Sequence, residues 1–170
     1  GQPDNAINMA KKALDINFTA EASWEYGKAC IALNRPAEAK QALEKVIASD
    51  SSNAIANRAL GEIYYSEKSY SKAIPLLKKS FKEKADGETS FKIGQSYIEM
   101  GVPDSAVPYL KDAINRKANV AQASLLMAHA YFGQKNYASA APEFQRAASQ
   151  GDLKAEEYYM MAVSLENTND

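Results

Sequence analysis

The chain holds one cysteine, one histidine and one tryptophan among 170 residues. Cys30 alone forms no internal disulfide, and His129 alone leaves too little for a His-Cys metal cluster or a histidine relay, so no metal or cofactor is expected. No apolar run approaches the roughly 18 residues that span a bilayer, which excludes direct membrane insertion. An excess of one charge is missing too. Twenty Lys and Arg face 21 Asp and Glu for a formal net charge of −1, so the chain as a whole has no attraction for nucleic acid or an anionic surface. Sustained period-2 alternation, the mark of a half-buried strand, is also absent. The chain opens Gly1-Gln2-Pro3 without an initiator Met, which reads as a processed product or an excised piece. The compartment, cytoplasmic or periplasmic, therefore stays open. What is present is the composition of a packed core, 46% hydrophobic and 24% charged.

The strongest positive signal is repetition. Gly27, Gly61 and Gly94 continue in phase as Ala128 and Ala162, in steps of 34, 33, 34 and 34 residues. A second small column runs Ala6, Ala39, Ala73, Ala106, Ala140, and large residues stand between the two: Cys30, Tyr64, Tyr97, Tyr131, Leu165. Ala10, Leu43, Leu77, Leu110 and Phe144 follow in the same phase. Within one period the apolar spacing is helical, as in Leu60, Ile63, Tyr64 and Ile74, Leu77, Phe81. Thr19, Asn53, Asp86 and Asn119 stand where a side-chain oxygen caps the first helix of each period. The tripeptides at Asn34, Lys68, Gly101 and Lys135 are the turns to the second helix. Pro75, Pro108 and Pro142 are expected near the first turn of each second helix, where a missing N–H does least harm.

These columns resemble the tetratricopeptide repeat, a helix-turn-helix unit of 34 residues. Leu60-Gly61, Tyr64, Tyr70, Ala73 and Leu77 carry the resemblance, as do Ile93-Gly94, Tyr97, Ala106, Leu110 and Ala113, and then Tyr131, Tyr137, Ala140, Phe144 and Ala147. The chain departs from the family pattern at its early tryptophan, replaced by Ser23, Asn57, Ser90 and Ser124, and at its terminal proline, replaced by Ser51, Ala85, Ala118 and Asp152. The resemblance implies an all-α fold, a right-handed α-solenoid, with residues 1–170 forming a single array. Its expected parts are a second helix at 4–18, repeats at 20–53, 54–86, 87–120 and 121–153, and a lone first helix at 154–167.

In the family, first helices line a concave groove that holds a peptide, and the resemblance places that face on a stripe at i, i+4, i+7. It comprises Trp24, Lys28 and Ile31, then Arg58, Glu62 and Tyr65, then Phe91, Gln95 and Ile98, then Leu125, His129 and Phe132, with Tyr159 in the last helix. Trp24, Phe91, Leu125, Phe132 and Tyr159 are the expected apolar anchors and Arg58 a hydrogen-bond donor. The alternative is that these side chains pack between neighbouring first helices. Glu21, Glu62, Glu88, Glu99, Glu156 and Glu166 outnumber Lys28 and Arg58 beside the stripe, so the groove is expected to be apolar with a mildly acidic border. The Lys-Asn-Arg cluster by which some relatives clamp a terminal carboxylate is missing: its places hold Trp24, Lys28 and Ala59, or Arg58 and Glu62.

Catalysis has little to build on. Cys30 and His129 are three repeats apart, roughly 25 to 30 Å at 8 to 10 Å per helix layer, beyond nucleophile-base reach. Lys72, Lys78, Lys79, Lys82 and Lys84 gather on one second helix, read as a solvated face with a phosphate or lipid contact as the alternative. The expectation is a non-catalytic scaffold or adaptor binding a protein or peptide with apolar anchors, and no nucleic acid. Two alternatives stand beside it. One is an assembly module self-associating through Tyr158, Tyr159, Met160, Met161 and Val163; the other is a regulatory fragment of a larger multidomain protein.

Overall fold

The computed structural model describes residues 5, 7–12, 19–151 and 153–168. Of the helix expected at 4–18, residues 5 and 7–12 are helical, whereas 4, 6 and 13–18 lie outside the described residues, as does Asp152. The helices that follow are α1 (Ala20–Ala32), α2 (Pro36–Ser49), α3 (Ala54–Ser66), α4 (Tyr70–Glu83), α5 (Gly87–Glu99), α6 (Pro103–Asn115), α7 (Val120–Gly133), α8 (Tyr137–Ala148) and α9 (Ala155–Glu166). Two compact units divide them, Gly1–Lys84 and Ala85–Asp170. In the first, α1 pairs with α2, α2 packs on α3, and α3 pairs with α4. In the second, α5 pairs with α6 and α7 with α8, α6 packs on α7, α8 packs on α9, and the first helices α5 and α7 also touch.

Local chemistry sets the helix ends. The Ala22 amide donates to Thr19 Oγ1 at 3.0 Å, the Ala56 amide to Asn53 Oδ1 at 3.0 Å, and the Thr89 amide to Asp86 Oδ1 at 2.9 Å. Each satisfies an amide that the first turn leaves without a partner. Asn119 departs from the expected cap. Its φ of 49° is left-handed, no cap bond forms, and its Nδ2 donates instead to Glu88 Oε2 at 2.8 Å. A side-chain cap needs a non-helical, typically extended residue, and the turn that also holds Lys117 at φ 59° does not provide one.

First helices end in one device used four times. Asn34, Lys68, Gly101 and Lys135 take positive φ, from 54° to 72°, and the next amide reaches back to Cys30, Tyr64, Tyr97 or Tyr131 oxygen at 2.8 to 2.9 Å. This is the Schellman closure, which the large column anchors. Pro36 and Pro103 open second helices as first residues. Pro75, Pro108 and Pro142 do not mark helix starts as expected: each is the sixth residue of its helix, inside it. All three are exposed, so the carbonyl each deprives of a helical donor lies on the outer, solvated side.

The glycine column lets paired helices approach. A Cβ on Gly61 would stand 2.8 Å from Leu77 Cδ2, and one on Gly94 2.7 Å from Leu110 Cγ and Cδ2. In the first unit Leu43, Val46, Ala56 and Leu60 form a core with Trp24, Ile63 and Tyr64 packed against it, and Ile7, Cys30 and Ala39 form another. In the second, Phe91, Ala106, Leu110, Ala113, Ala123 and Met127 cluster, and Ala128, Ala140 and Phe144 form a core that Met160 and Met161 of α9 cover. Ser23, Asn57, Ser90 and Ser124, in place of the expected tryptophan, are fully buried. Ser90 Oγ donates to Tyr109 oxygen at 3.0 Å, whereas Ser23 Oγ and Ser124 Oγ have no hydrogen-bond partner among the described residues.

Candidate functional site

The stripe does not have one environment. Phe91 is 5% exposed and belongs to the core against Ala123 and Met127 of α7, so it does not stand open as an anchor. The cause is the side-by-side packing of α5 and α7: a small residue, Ala123, leaves room that the ring fills. Trp24 and Leu125, in the same phase, are half-buried against their own unit's cores. The later stripe positions are more open, with Lys28, Ile31 and His129 exposed and Gln95 and Ile98 half-buried. Phe132 is half-buried in an aromatic group, its ring 5.6 Å from Tyr137 and 6.4 Å from Phe144, while His129 lies 5.7 Å from Phe144. Tyr65 meets Tyr70 edge-on at 6.0 Å. Tyr159 is the most open of the aromatic positions, at 68%.

Charges on the stripe are largely engaged. Arg58 Nε donates to Glu62 Oε1 at 3.2 Å, so the expected donor already has an acceptor one turn away. Lys28 pairs with Glu25 at 2.7 Å and sits 5.5 Å over the Trp24 ring. Glu88 accepts from Lys92 at 3.5 Å as well as from Asn119. Glu21, Glu99, Glu156 and Glu166 remain exposed.

Each unit has a cavity that the stripe helps to line. In the first, about 260 Å³ lies between the end of α1, the turn and α3, bounded by Ile31, Asn34, Arg35, Pro36, Ala59, Glu62, Ile63 and Ser66. One cause is the small Ala59; at the corresponding place in the second unit Leu126 packs onto the core. The pairings the sequence reading missed stabilise its rim. Arg35 Nε meets Glu38 Oε1 at 2.7 Å, and Tyr26 donates its hydroxyl to Glu38 Oε2 at 2.6 Å. The Tyr26 bond, then Arg35, hold the Glu38 carboxyl below its ordinary range, and the same bond with burial pushes the Tyr26 hydroxyl well above its own. The Cys30 thiol is raised, chiefly by burial, and is fully enclosed, a core filler and not an activated nucleophile. The periodic pattern does not single out these pairings: Tyr26 stands in the column of Leu60 and Ile93, whose residues are apolar, and Arg35 lies in a turn that other repeats fill with different residues, so a hydroxyl and a guanidinium converging on Glu38 have no counterpart in the other repeats. In the second unit a smaller cavity of about 210 Å³ is lined by Ala121, Gln122, Leu125, Ala147, Gly151 and Leu153.

Among the described residues no group of His, Cys, Asp and Glu is placed to hold a metal ion, and no helix is long and apolar enough to cross a membrane. The last helix differs from its predecessors: Gly27, Gly61, Gly94 and Ala128 are buried in their pairs, whereas Ala162 in the same column is exposed, beside Tyr158 at 45%.

No curated protein matches the sequence. Solved structures share the fold. MamA is 25% identical with a TM-score of 0.75, over 86% of this chain and 87% of its own. YrrB, a TPR protein with an unusual peptide-binding site, is 20% identical with a TM-score of 0.78, over 96% of this chain and 86% of its own. The pilF protein of Pseudomonas aeruginosa is 23% identical with a TM-score of 0.69, over 100% of this chain and 78% of its own. The fold class is thus the expected one, an all-α, right-handed α-solenoid of helix-turn-helix repeats. The tetratricopeptide repeat model matches residues 27–87 and 91–155. The chain belongs to the tetratricopeptide repeat family.

Proposed function

We propose that the chain is a non-catalytic adaptor that binds a partner protein segment on its first-helix faces, within repeats framed at 20–53, 54–86, 87–120 and 121–153. The observation that carries this reading is the cavity of about 260 Å³ lined by Ile31 and Glu62, two stripe residues, beside an Ile31 that is 43% exposed. The cavity is smaller than most small-molecule sites and suits a side chain of an extended segment. The peptide-binding site of YrrB supports a peptide as the ligand class. In the first unit Ile31 supplies the apolar contact, Trp24 and Tyr65 the aromatic wall, and Lys28, Arg58 and Glu62 the polar rim; in the second unit Ile98, Leu125, Phe132 and Tyr159 supply apolar contacts and Gln95 and His129 polar ones. Phe91 belongs to the core of the second unit and is not a contact.

A displayed library of random peptides tests the reading. Selection on the chain is expected to enrich sequences with spaced apolar residues, whose binding is lost in Ile31→Glu and in Ala59→Leu, which fills the cavity. Both variants should melt with the parent, and peptides that bind them undiminished would refute the reading.

The exposure of Ala162 favours one second reading, self-association through α9. Tyr158, Tyr159, Met160, Met161 and Val163 then contribute to a contact between copies, with Tyr159 and Ala162 at its centre. Light scattering at rising concentration decides it: mass growth abolished by Ala162→Glu supports association, and a strict monomer excludes it.

A further inference from the structure

We propose that the outer face of α4 docks the protein on an anionic lipid bilayer, an activity separate from the partner face. Helix α4 carries Lys72, Lys78, Lys79 and Lys82 against one carboxylate, Glu83, and Lys84 follows it. All five lysines are exposed. At 100° per residue the four helical lysines fall within an arc of about 120°, opposite the buried Ala73, Ile74, Leu77 and Ser80, and they extend about 15 Å along the axis.

The other second helices provide an internal control. Helix α2 balances Lys40 and Lys45 with Glu38 and Glu44, α6 sets Lys111 against Asp104 and Asp112, and α8 pairs Arg146 with Glu143. A face kept merely soluble is mixed in this way. In α4 four lysines stand against the single carboxylate Glu83, and Lys78 and Lys82 stand one turn apart, a spacing that weakens the helix. Lys82 in the last turn favours the helix through its dipole, but Lys72, Lys78 and Lys79 lie before that turn, so helix stability accounts for only part of the cluster.

The form of the face selects among anionic partners. Recognition of bases requires stacking rings or the planar fork of arginine, and this arc offers lysines, with Phe81 half-buried outside it, so that a nucleic acid would be held only through its phosphates. A peptide needs apolar anchors, and of the large apolar residues of α4 Ile74 and Leu77 are buried, Leu76 is half-buried against the core and Phe81 is half-buried. Ammonium groups on long flexible stems need neither, since they settle against a plane of lipid phosphates without fixed geometry. Each lysine near such a surface strengthens partition roughly fivefold, and the attraction is screened by salt.

Co-sedimentation of the full chain with vesicles tests the proposal, using phosphatidylglycerol mixed with phosphatidylcholine, and phosphatidylcholine alone. Binding is expected to the mixed vesicles at low salt, to disappear at high salt, and to be negligible with phosphatidylcholine. Lys79→Glu with Lys82→Glu should lower partition more than tenfold, and Lys79→Arg with Lys82→Arg should preserve it, both with an unchanged melting temperature. Should the glutamate pair unfold the protein, Lys79→Gln with Lys82→Gln takes its place with a smaller loss. Equal binding to both vesicles, undiminished binding by the glutamate or glutamine pair, or binding only to polyglutamate or oligodeoxythymidylate overturns the assignment.

Discussion

Adding one methyl group at two equivalent glycines is expected to change stability in opposite directions. Gly27 and Gly94 are each the eighth residue of a 13-residue first helix, so exchange for alanine brings the same intrinsic gain, up to about 1 kcal/mol. Their surroundings differ. At Gly27 the nearest atoms to the new methyl are Leu43 Cγ and Cδ2 at 3.4 Å, close to an ordinary contact. At Gly94 they are Leu110 Cγ and Cδ2 at 2.7 Å, with the Leu110 backbone nitrogen at 3.2 Å. A leucine tip rotates, but a backbone nitrogen moves only with its helix, so α6 must shift. Overpacking of this kind costs about 1 to 3 kcal/mol. Gly27→Ala is therefore expected to stabilise by about 0.5 to 1 kcal/mol, and Gly94→Ala to destabilise by up to about 2 kcal/mol after the helix gain is subtracted. Urea unfolding reads both. Fluorescence of Trp24, the chain's one tryptophan, reports the first unit, and helical circular dichroism follows the whole chain. Equal shifts of the same sign would show that close helix approach is not what the glycine column provides.

Three further outcomes follow from the same geometry. Lys135→Gly should raise stability by about 1 kcal/mol, because the left-handed φ of 57° burdens any residue with a Cβ and Gly101 already fills the matching turn; thermal melting measures it. Ser124→Ala removes a buried hydroxyl with no partner among the described residues and should be neutral or stabilising by up to about 1 kcal/mol, whereas Ser90→Ala loses the bond to Tyr109 and should cost about 1 kcal/mol; a reversed order in urea midpoints contradicts the assignment. The Glu38 carboxyl is depressed on folding, so its contribution is present above the ordinary carboxylate value and lost as pH falls through the lower folded value. The stability difference between the parent and Tyr26→Phe should accordingly be full near neutrality and shrink below about pH 4, as melting temperatures across that range will show.

Much of the architecture was legible because it is periodic. The small residues at 27, 61, 94 and 128 recur at one helix pair per period, and the helices they imply are there, with Thr19, Asn53 and Asp86 capping three of them. Residue type alone misled where backbone conformation decides. Asn119 is a good capping residue, but a left-handed φ turns its side chain toward Glu88. The prolines at 75, 108 and 142 suit a helix start, yet the helices begin five residues earlier, at Tyr70, Pro103 and Tyr137. The candidate site was legible only in part. A stripe at i, i+4, i+7 is wide enough that one edge turns toward the neighbouring first helix, which buries Phe91 against Ala123 while leaving Ile31 exposed. The cavity beside Ile31 depends on Ala59 and on the Tyr26, Glu38 and Arg35 pairings, none of which a single-column pattern expresses.

Whether first-helix faces hold a partner segment is read from amide chemical-shift mapping with a library-selected peptide. Titration is expected to move the signals of Ile31, Ala59, Glu62 and Ile63 together and to leave Lys78 to Lys82 in place. Shifts confined to the outer helices, with Ile31 and Ala59 unmoved at saturation, would contradict it.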